Sequence, residues 1–200
     1  MLSRQRSARV EGGPVRDTAA DHDAHLLGRI AEGELRAFEE LYRLYHPRLT
    51  RFLAGMLRRP HLTEEALDDT LLTVWNRPTS YNGASKVSTW IFAIAYRKAL
   101  KMLRRCDDPV EDAEAENRPS GEPGPEVEIG RRQAREALLQ AMGELSVEQR
   151  TVVDLCYFHE MDYREIADVM ECPVDTVKTR MFHARRRLKT ALARPMADLL

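Results

Sequence analysis

From Leu26 to Arg105 the apolar residues recur mostly at three- and four-residue steps, the period of a helix face and not the alternation of a strand. Leu26, Leu27, Ile30, Phe38, Leu41, Tyr42 and Tyr45 follow that rule first. Pro47 then falls where a second helix could begin, carrying Leu49, Phe52, Leu53, Met56 and Leu57. Thr63, followed by Glu64 and Glu65, reads as the N-cap of a third helix, with acids in the first turn where the helix dipole favours them. That helix takes in Leu67, Leu71, Leu72, Val74 and Trp75 and stops before Pro78. A polar loop, Ser80 to Lys86, leads into a last helix over about 88–105. Residues 1 to about 25 show no such periodicity and are expected to form a disordered extension.

The pattern breaks at Asp107. Between there and Glu128 stand nine acids against the single base Arg118, with four prolines and two glycines. No continuous helix survives that composition, so a flexible acidic linker is expected. Helical periodicity resumes at about Ile129 with Ala134, Ala137, Leu138, Ala141 and Met142. Ser146 with Gln149 is a capping-box match that opens the next helix. Two short helices follow, Tyr163 to Met170 and Val174 to Leu188, separated by Glu171-Cys172-Pro173. Pro173 ends the first and can start the second. The expected fold is therefore all-α, with two small helical domains (26–106 and 131–194) joined by a flexible acidic linker (107–130).

Charge sharpens this picture. The chain as a whole carries −1, but Pro173–Arg194 holds seven Lys/Arg and one acid, a net +6. At about 100° per residue, Val177, Met181, Ala184 and Leu188 share one side of the helix from Val174. Thr176, Thr179, Arg180, His183 and Arg187 share another, with Arg186 beside them, Phe182 at its edge, and Lys178 and Arg185 on a flank. A helix with one apolar side and one side of cations and hydroxyls, preceded by a short helix and a three-residue turn, is built to enter a DNA major groove. The bland alternative, a solvated basic helix, explains the charge but not the helix and turn before it.

A second cationic surface lies at the end of the first domain. Arg97, Lys98, Lys101, Arg104 and Arg105 fall within about one third of a helical circumference, opposite Ile91, Ala95, Ala99, Met102 and Leu103. Ile94 is the exception, near the basic edge. The loop before this helix carries Tyr81, Asn82, Ser85 and Lys86. Stacking and amide groups beside cations suit single-stranded DNA. Trp75 and Trp90 read more readily as core residues than as stacking platforms.

Other classes fit less well. A hydrophobic share of 43% supports a core and 32% charge a large solvated surface, while no apolar run is long enough to span a bilayer. The arginine-rich start lacks the apolar stretch of a signal peptide. There is no phosphate-binding Gly loop, nucleophile elbow or His-Glu-x-x-His helix, so no enzyme, metal or cofactor is expected. Cys156, His159, Cys172 and His183 could be imagined as metal ligands, but zinc sites space their ligands in tighter pairs. A free-standing repressor would need a dimer seam to read two half-sites, and none is visible.

Two segments carry a family resemblance. Ser88-Thr-Trp-Ile-Phe-Ala-Ile-Ala-Tyr-Arg97 resembles the S-T-W-L-x-x-I-A-R-N signature of the extracytoplasmic-function (group IV) subfamily of sigma-70 factors. Tyr163–Met170 with Cys172–Arg185 resembles that family's promoter-binding helix-turn-helix. The resemblance covers roughly residues 26 to 192. It implies a cytoplasmic, non-enzymatic sigma factor that directs core RNA polymerase to promoter DNA, under an anti-sigma factor. A sigma-2-like domain would contact the polymerase through Asp68, Asp69, Leu71, Leu72 and Trp75, and the −10 element through Asn82, Ser85, Lys86, Arg97, Lys98 and Lys101. A sigma-4-like domain would read the −35 element with Thr176, Lys178, Thr179, Arg180, Phe182, His183, Arg186 and Arg187. Asp68-Asp69 stand where the family often has Gln-Glu, and Arg97 where it often has Asn.

Overall fold

The computed structural model describes residues 18–105 and 136–197, and among them there are helices and turns but no strand. The acidic stretch expected as a linker lies outside the described residues. The first module comprises α1 (Thr18–Ala31), α2 (Leu35–Leu57), α3 (Pro60–Asn76), a 3-10 turn (Pro78–Ser80) and α4 (Val87–Arg105). The second comprises α5, helical over 136–143, then α6 (Val147–Tyr157), α7 (Tyr163–Met170) and α8 (Val174–Ala197).

The core of the first module follows the apolar period. Leu41, Tyr45, Leu49, Phe52, Leu53 and Met56 line the inner side of α2 and are buried, as are Leu67, Leu71 and Val74 of α3 and Ile91, Phe92 and Ala95 of α4. Each large side chain so buried contributes roughly 1.5–3 kcal/mol relative to exposure. Phe52 meets Phe92 edge-on, with ring centroids 5.2 Å apart. Trp75 packs on Phe38 and Trp90 on Tyr81, both partly buried against the core.

Three boundaries of the first module differ from the sequence expectation. The helix α1 begins at Thr18, so residues 18–25 belong to the folded module and not to an extension. They are held from inside: the Tyr45 hydroxyl donates to Asp23, and His22 lies 3.1 Å from Glu40. Burial, and then the bond to Asp23, hold the Tyr45 phenol far above its ordinary titration range. Pro47 does not start a helix but lies inside α2, on its outer side. There its missing N–H costs one backbone bond, which the buried residues on either side outweigh. Thr63 does not cap α3; Pro60 supplies the first turn, since its fixed φ is already helical, and Thr63 is buried with its hydroxyl donating to the Arg59 carbonyl.

The second module keeps its expected elements, except that α8 runs on to Ala197, past the expected end at Leu188. Ser146 and Gln149 form the reciprocal capping box of α6. A second capping box opens α7, where the Asp162 carboxylate accepts from the N–H groups of Arg164 and Glu165, at 2.7 and 2.9 Å, and the Glu165 side chain accepts from Asp162 N–H. The bond from Glu165 N–H chiefly holds the Asp162 carboxyl below the usual carboxylate range.

The two modules pack together. Ile94 and Ala93 of α4, on or near the side expected to face solvent, are buried because α7 lies across α4. His159 is 8% exposed, with its ring centroid 4.5 Å from that of Phe92 and 6.1 Å from that of Phe52. The Arg51 guanidinium sits 3.8 Å over the Phe158 ring. Arg150 donates to the carbonyls of Met142 (3.1 Å), Leu145 (3.0 Å) and, across the module boundary, Gly55 (3.0 Å). Replacing Arg150 with Met would leave these three acceptors without that donor and is expected to lower stability by about 3 kcal/mol, read by urea denaturation. Asp162→Ala should cost about 1 kcal/mol in the same assay. Because the folded carboxyl is held low, its contribution is full above the ordinary carboxylate range and lost as pH falls through the lowered value. Asp162→Asn, which accepts without titrating, should flatten that acid limb.

Candidate nucleic-acid interface

An exposed basic surface runs along α8. Val177, Met181 and Ala184 are buried and fix the helix's rotation, so Lys178, Thr179, Phe182, His183 and Arg186 are exposed, with Thr176 and Arg180 half-buried at the near end. This is the division expected from the helical wheel. Phe182 is 63% exposed, an unusual position for an aromatic ring that packs only edge-on against His183. The hydroxyl of Thr179 donates to the Asp175 carbonyl, leaving its oxygen as an acceptor. Lys178 pairs with Asp175 at 2.9 Å, and Arg180 Nη1 lies 3.6 Å from Cys172 Sγ. Arg187 is placed differently from its neighbours. It reaches back to the α5–α6 corner, donating to the Glu144 carbonyl and Gln149 side chain at 3.3 Å each. Together with His183, Arg186 and Thr190 it lines a shallow concavity there.

The second surface is the loop before α4 and the start of that helix. Gly83, at φ +74°, takes the left-handed conformation that glycine allows. Beside it the Asn82 side chain accepts from Ala84 N–H at 3.0 Å, and the Tyr81 hydroxyl donates to the Ser85 carbonyl at 2.6 Å. The loop is thus closed on itself, with Asn82 exposed at its tip and Ser85 half-buried. Arg97 and Lys101 are exposed on α4 and Lys98 is half-buried. Three of the cations here have acidic partners. Lys98 pairs with Asp69 of α3 at 3.1 Å, Lys86 with Glu165 of α7 at 3.2 Å, and Arg97 with Glu171, at the end of α7, at 2.6 Å.

A third surface is apolar. Leu35 and Phe38 of α2 and Asp68, Asp69, Leu71, Leu72 and Trp75 of α3 line an open groove. Leu35 and Leu72 are 58% and 55% exposed. All five α3 residues expected at a polymerase contact are brought together here. Leu35 and Phe38 were not anticipated, although their i, i+3 spacing at the start of α2 was a signal for a shared side.

Cys156, Cys172, His159 and His183 do not converge: His159 is buried between the modules, His183 is exposed on α8, and no group of three or more potential ligands is placed to hold a metal among the described residues. Among the same residues no helix is long and apolar enough to cross a membrane.

Comparison with known proteins gives the same division into modules. The family model for Sigma-70 region 2 matches residues 41–107, and that for Sigma-70, region 4 matches residues 135–188. RNA polymerase sigma-H factor of Pseudomonas aeruginosa is 27% identical over 182 residues, covering 86% of this chain and 94% of its own. ECF RNA polymerase sigma factor SigM of Bacillus subtilis is 29% identical over 166 residues, 80% of this chain and 98% of its own. In fold, the chain is similar to the sigma factor RpoE of Bartonella quintana, solved with the anti-sigma factor NepR (TM-score 0.63, 22% identity, 80% of this chain and 98% of that one). It is equally similar to CnrH, solved with the cytosolic domain of CnrY (TM-score 0.63, 21% identity, 86% and 98%). With both matched regions in order on two helical modules, the chain belongs to the sigma-70 family of RNA polymerase sigma factors, in its extracytoplasmic-function branch.

Proposed function

We propose that this chain is a cytoplasmic, non-enzymatic sigma factor that binds core RNA polymerase, carries it to particular promoters and is restrained by an anti-sigma factor. The observation that carries the reading is the pairing of the two matched regions with an exposed, rotationally fixed basic helix on the second module. Relatives spanning most of the chain are named RNA polymerase sigma factors, and two neighbours in fold were solved with an anti-sigma factor or the cytosolic domain of a second protein.

In this reading α8 lies in the major groove of the −35 element. Lys178, Arg180 and Arg186 reach phosphates or guanine acceptors, Thr176 and Thr179 offer hydroxyls, and Phe182 and His183 supply edges for thymine methyls and acceptors. Arg187, engaged at the α5–α6 corner, serves better as a brace for α8 with a phosphate within reach. The Asn82–Lys86 loop takes an unstacked −10 base, while Arg97, Lys98 and Lys101 hold the backbone. The groove of Leu35, Phe38, Leu71, Leu72 and Trp75, edged by Asp68 and Asp69, takes an apolar element of the polymerase that carries cations beside it. Each DNA contact alone is weak and salt-sensitive. Two of them fixed on one polymerase act at high effective concentration and gain specificity together.

Run-off transcription with core polymerase on a promoter library tests the proposal, and no transcript above core alone would overturn it. On a promoter so found, Arg180→Ala should lower initiation about five- to hundredfold, the worth of one base-reading arginine, with core affinity unchanged. Leu72→Glu should do the reverse, lowering core affinity at least tenfold by placing a charge in the apolar groove, while the second module's binding to −35 duplex stays as it was.

A further inference from the structure

We infer that Arg185, aimed by the Tyr157 hydroxyl, holds a backbone phosphate of the promoter duplex, on the strand opposite to the one within reach of Arg187. The inference rests on the reading of α8 as the duplex-reading helix and adds two residues that lie off its base-reading side. Arg185 Nε donates to the Tyr157 hydroxyl at 3.1 Å, and the guanidinium carbon lies 5.8 Å from the centre of that ring. Tyr157 is the last residue of α6, and both residues are exposed.

The partner is neutral, and that sets Arg185 apart. Lys178, on the same flank of α8, meets the Asp175 carboxylate at 2.9 Å, whereas among the described residues no carboxylate pairs with Arg185. A bond through Nε leaves the N–H groups of both terminal nitrogens, the fork that grips a phosphate, outside that bond. The hydroxyl therefore fixes the direction of the side chain without neutralising its charge, so less freedom is lost when an anion arrives. A packing role alone fits poorly, because an exposed guanidinium beside an exposed ring adds little to stability.

Placement on the helix supplies the rest. Arg185 and Arg187 are separated by about 200° around α8, on opposite flanks. They are tied to opposite ends of α6: Arg187 to the Gln149 side chain and the Glu144 carbonyl at 3.3 Å each, Arg185 to Tyr157. Between the two flanks, on the solvent side, Thr179, His183 and Arg186 are exposed. A helix with its side chains is about 10–12 Å across and the major groove about 12 Å wide, so cations on opposite flanks meet opposite strands. Contacts of that kind fix the roll of the helix and carry no sequence information. An acidic protein surface could answer the same charge. Phe182 and Arg186, neighbours of Arg185 on α8, already face the duplex in this reading, which puts phosphates beside it.

The test uses the full-length chain assembled with core polymerase, on a duplex promoter found by run-off transcription and on versions altered in the −35 element. Arg185→Gln is expected to weaken binding about five- to tenfold, by the same factor on every version, and to lower the slope of log affinity against log salt by about 1. Tyr157→Phe, which keeps the ring and removes the hydroxyl, should weaken it about twofold and add nothing in the Arg185→Gln background. Arg185→Lys, which keeps the charge and loses the fork, should fall between the unmodified chain and Arg185→Gln. With Tyr157→Phe it decides the matter if Arg185→Gln lowers the urea midpoint. Replacing single phosphates with uncharged methylphosphonate locates the contact. One position should cost the unmodified chain affinity and cost Arg185→Gln none, on the strand opposite to the position that Arg187→Gln no longer senses. Unchanged binding by Arg185→Gln overturns the inference, as does a loss confined to particular −35 sequences. So does weaker binding to core polymerase with promoter binding intact, the outcome expected of a site for an acidic protein surface. Failure of the unmodified chain to give any transcript would instead bring down the sigma-factor reading.

Discussion

The arrangement of the modules turns on the guanidinium of Arg150. It is 9% exposed and donates to carbonyls at the ends of two helices, Met142 in the last turn of α5 and Gly55 in the last turn of α2, as well as to Leu145 in the following corner. Carbonyls in a last helical turn have no intrahelical donor, and the dipole makes that end negative. A cation with five N–H groups in a planar fork answers both needs at once. Burying a charge is costly unless its hydrogen bonds are met, and here they are met by backbone carbonyls, of which that of Met142 also accepts from Leu145 N–H. The residue thus fixes the corner between α5 and α6 within one module and the position of that corner against the other.

From that joint the rest of the interface follows geometrically. With the α5–α6 corner seated on the end of α2, α6 brings His159 onto Phe52 and Phe92, and α7 comes down across α4. The Arg58 guanidinium, on the left-handed residue between α2 and α3, lies over Gly143, close enough that a β-carbon there would touch it. His159 Nε2 lies 3.3 Å from the Asp154 carboxylate, without hydrogen-bond geometry. Shape and backbone carbonyls, with ion pairs only at the rim, position the second module.

The helix-turn-helix and its basic side were legible in the residues alone, because Val177, Met181, Ala184 and Leu188 leave α8 only one rotation. The bundle of the first module was equally plain from its apolar period. Boundaries were harder wherever a proline could be read two ways. Pro47 looked like a start and is an interior residue, while Pro60 was passed over in favour of Thr63. The start of α1 was hidden because its anchors are long-range, the bond from Tyr45 to Asp23 and the approach of His22 to Glu40, which no local pattern announces. The Asp162–Glu165 capping box, by contrast, had its full signature in sequence. What no periodicity could reveal is that a helix amphipathic in isolation, α4, is covered on its second side by a neighbour far along the chain. Ile94, out of place on the wheel, was the one residue that hinted at it.

Glu165 makes two contacts with its two oxygens. One accepts from the Asp162 backbone and so helps set where α7 begins, and the other meets Lys86 of the opposite module at 3.2 Å. Shortening this side chain to Asp would pull both oxygens back together, so the start of a helix and the grip between modules could not be adjusted separately. Lengthening the reach of its partner instead, at position 86, would touch only the second. Adjustment of the grip alone is therefore easier from the loop than from the helix.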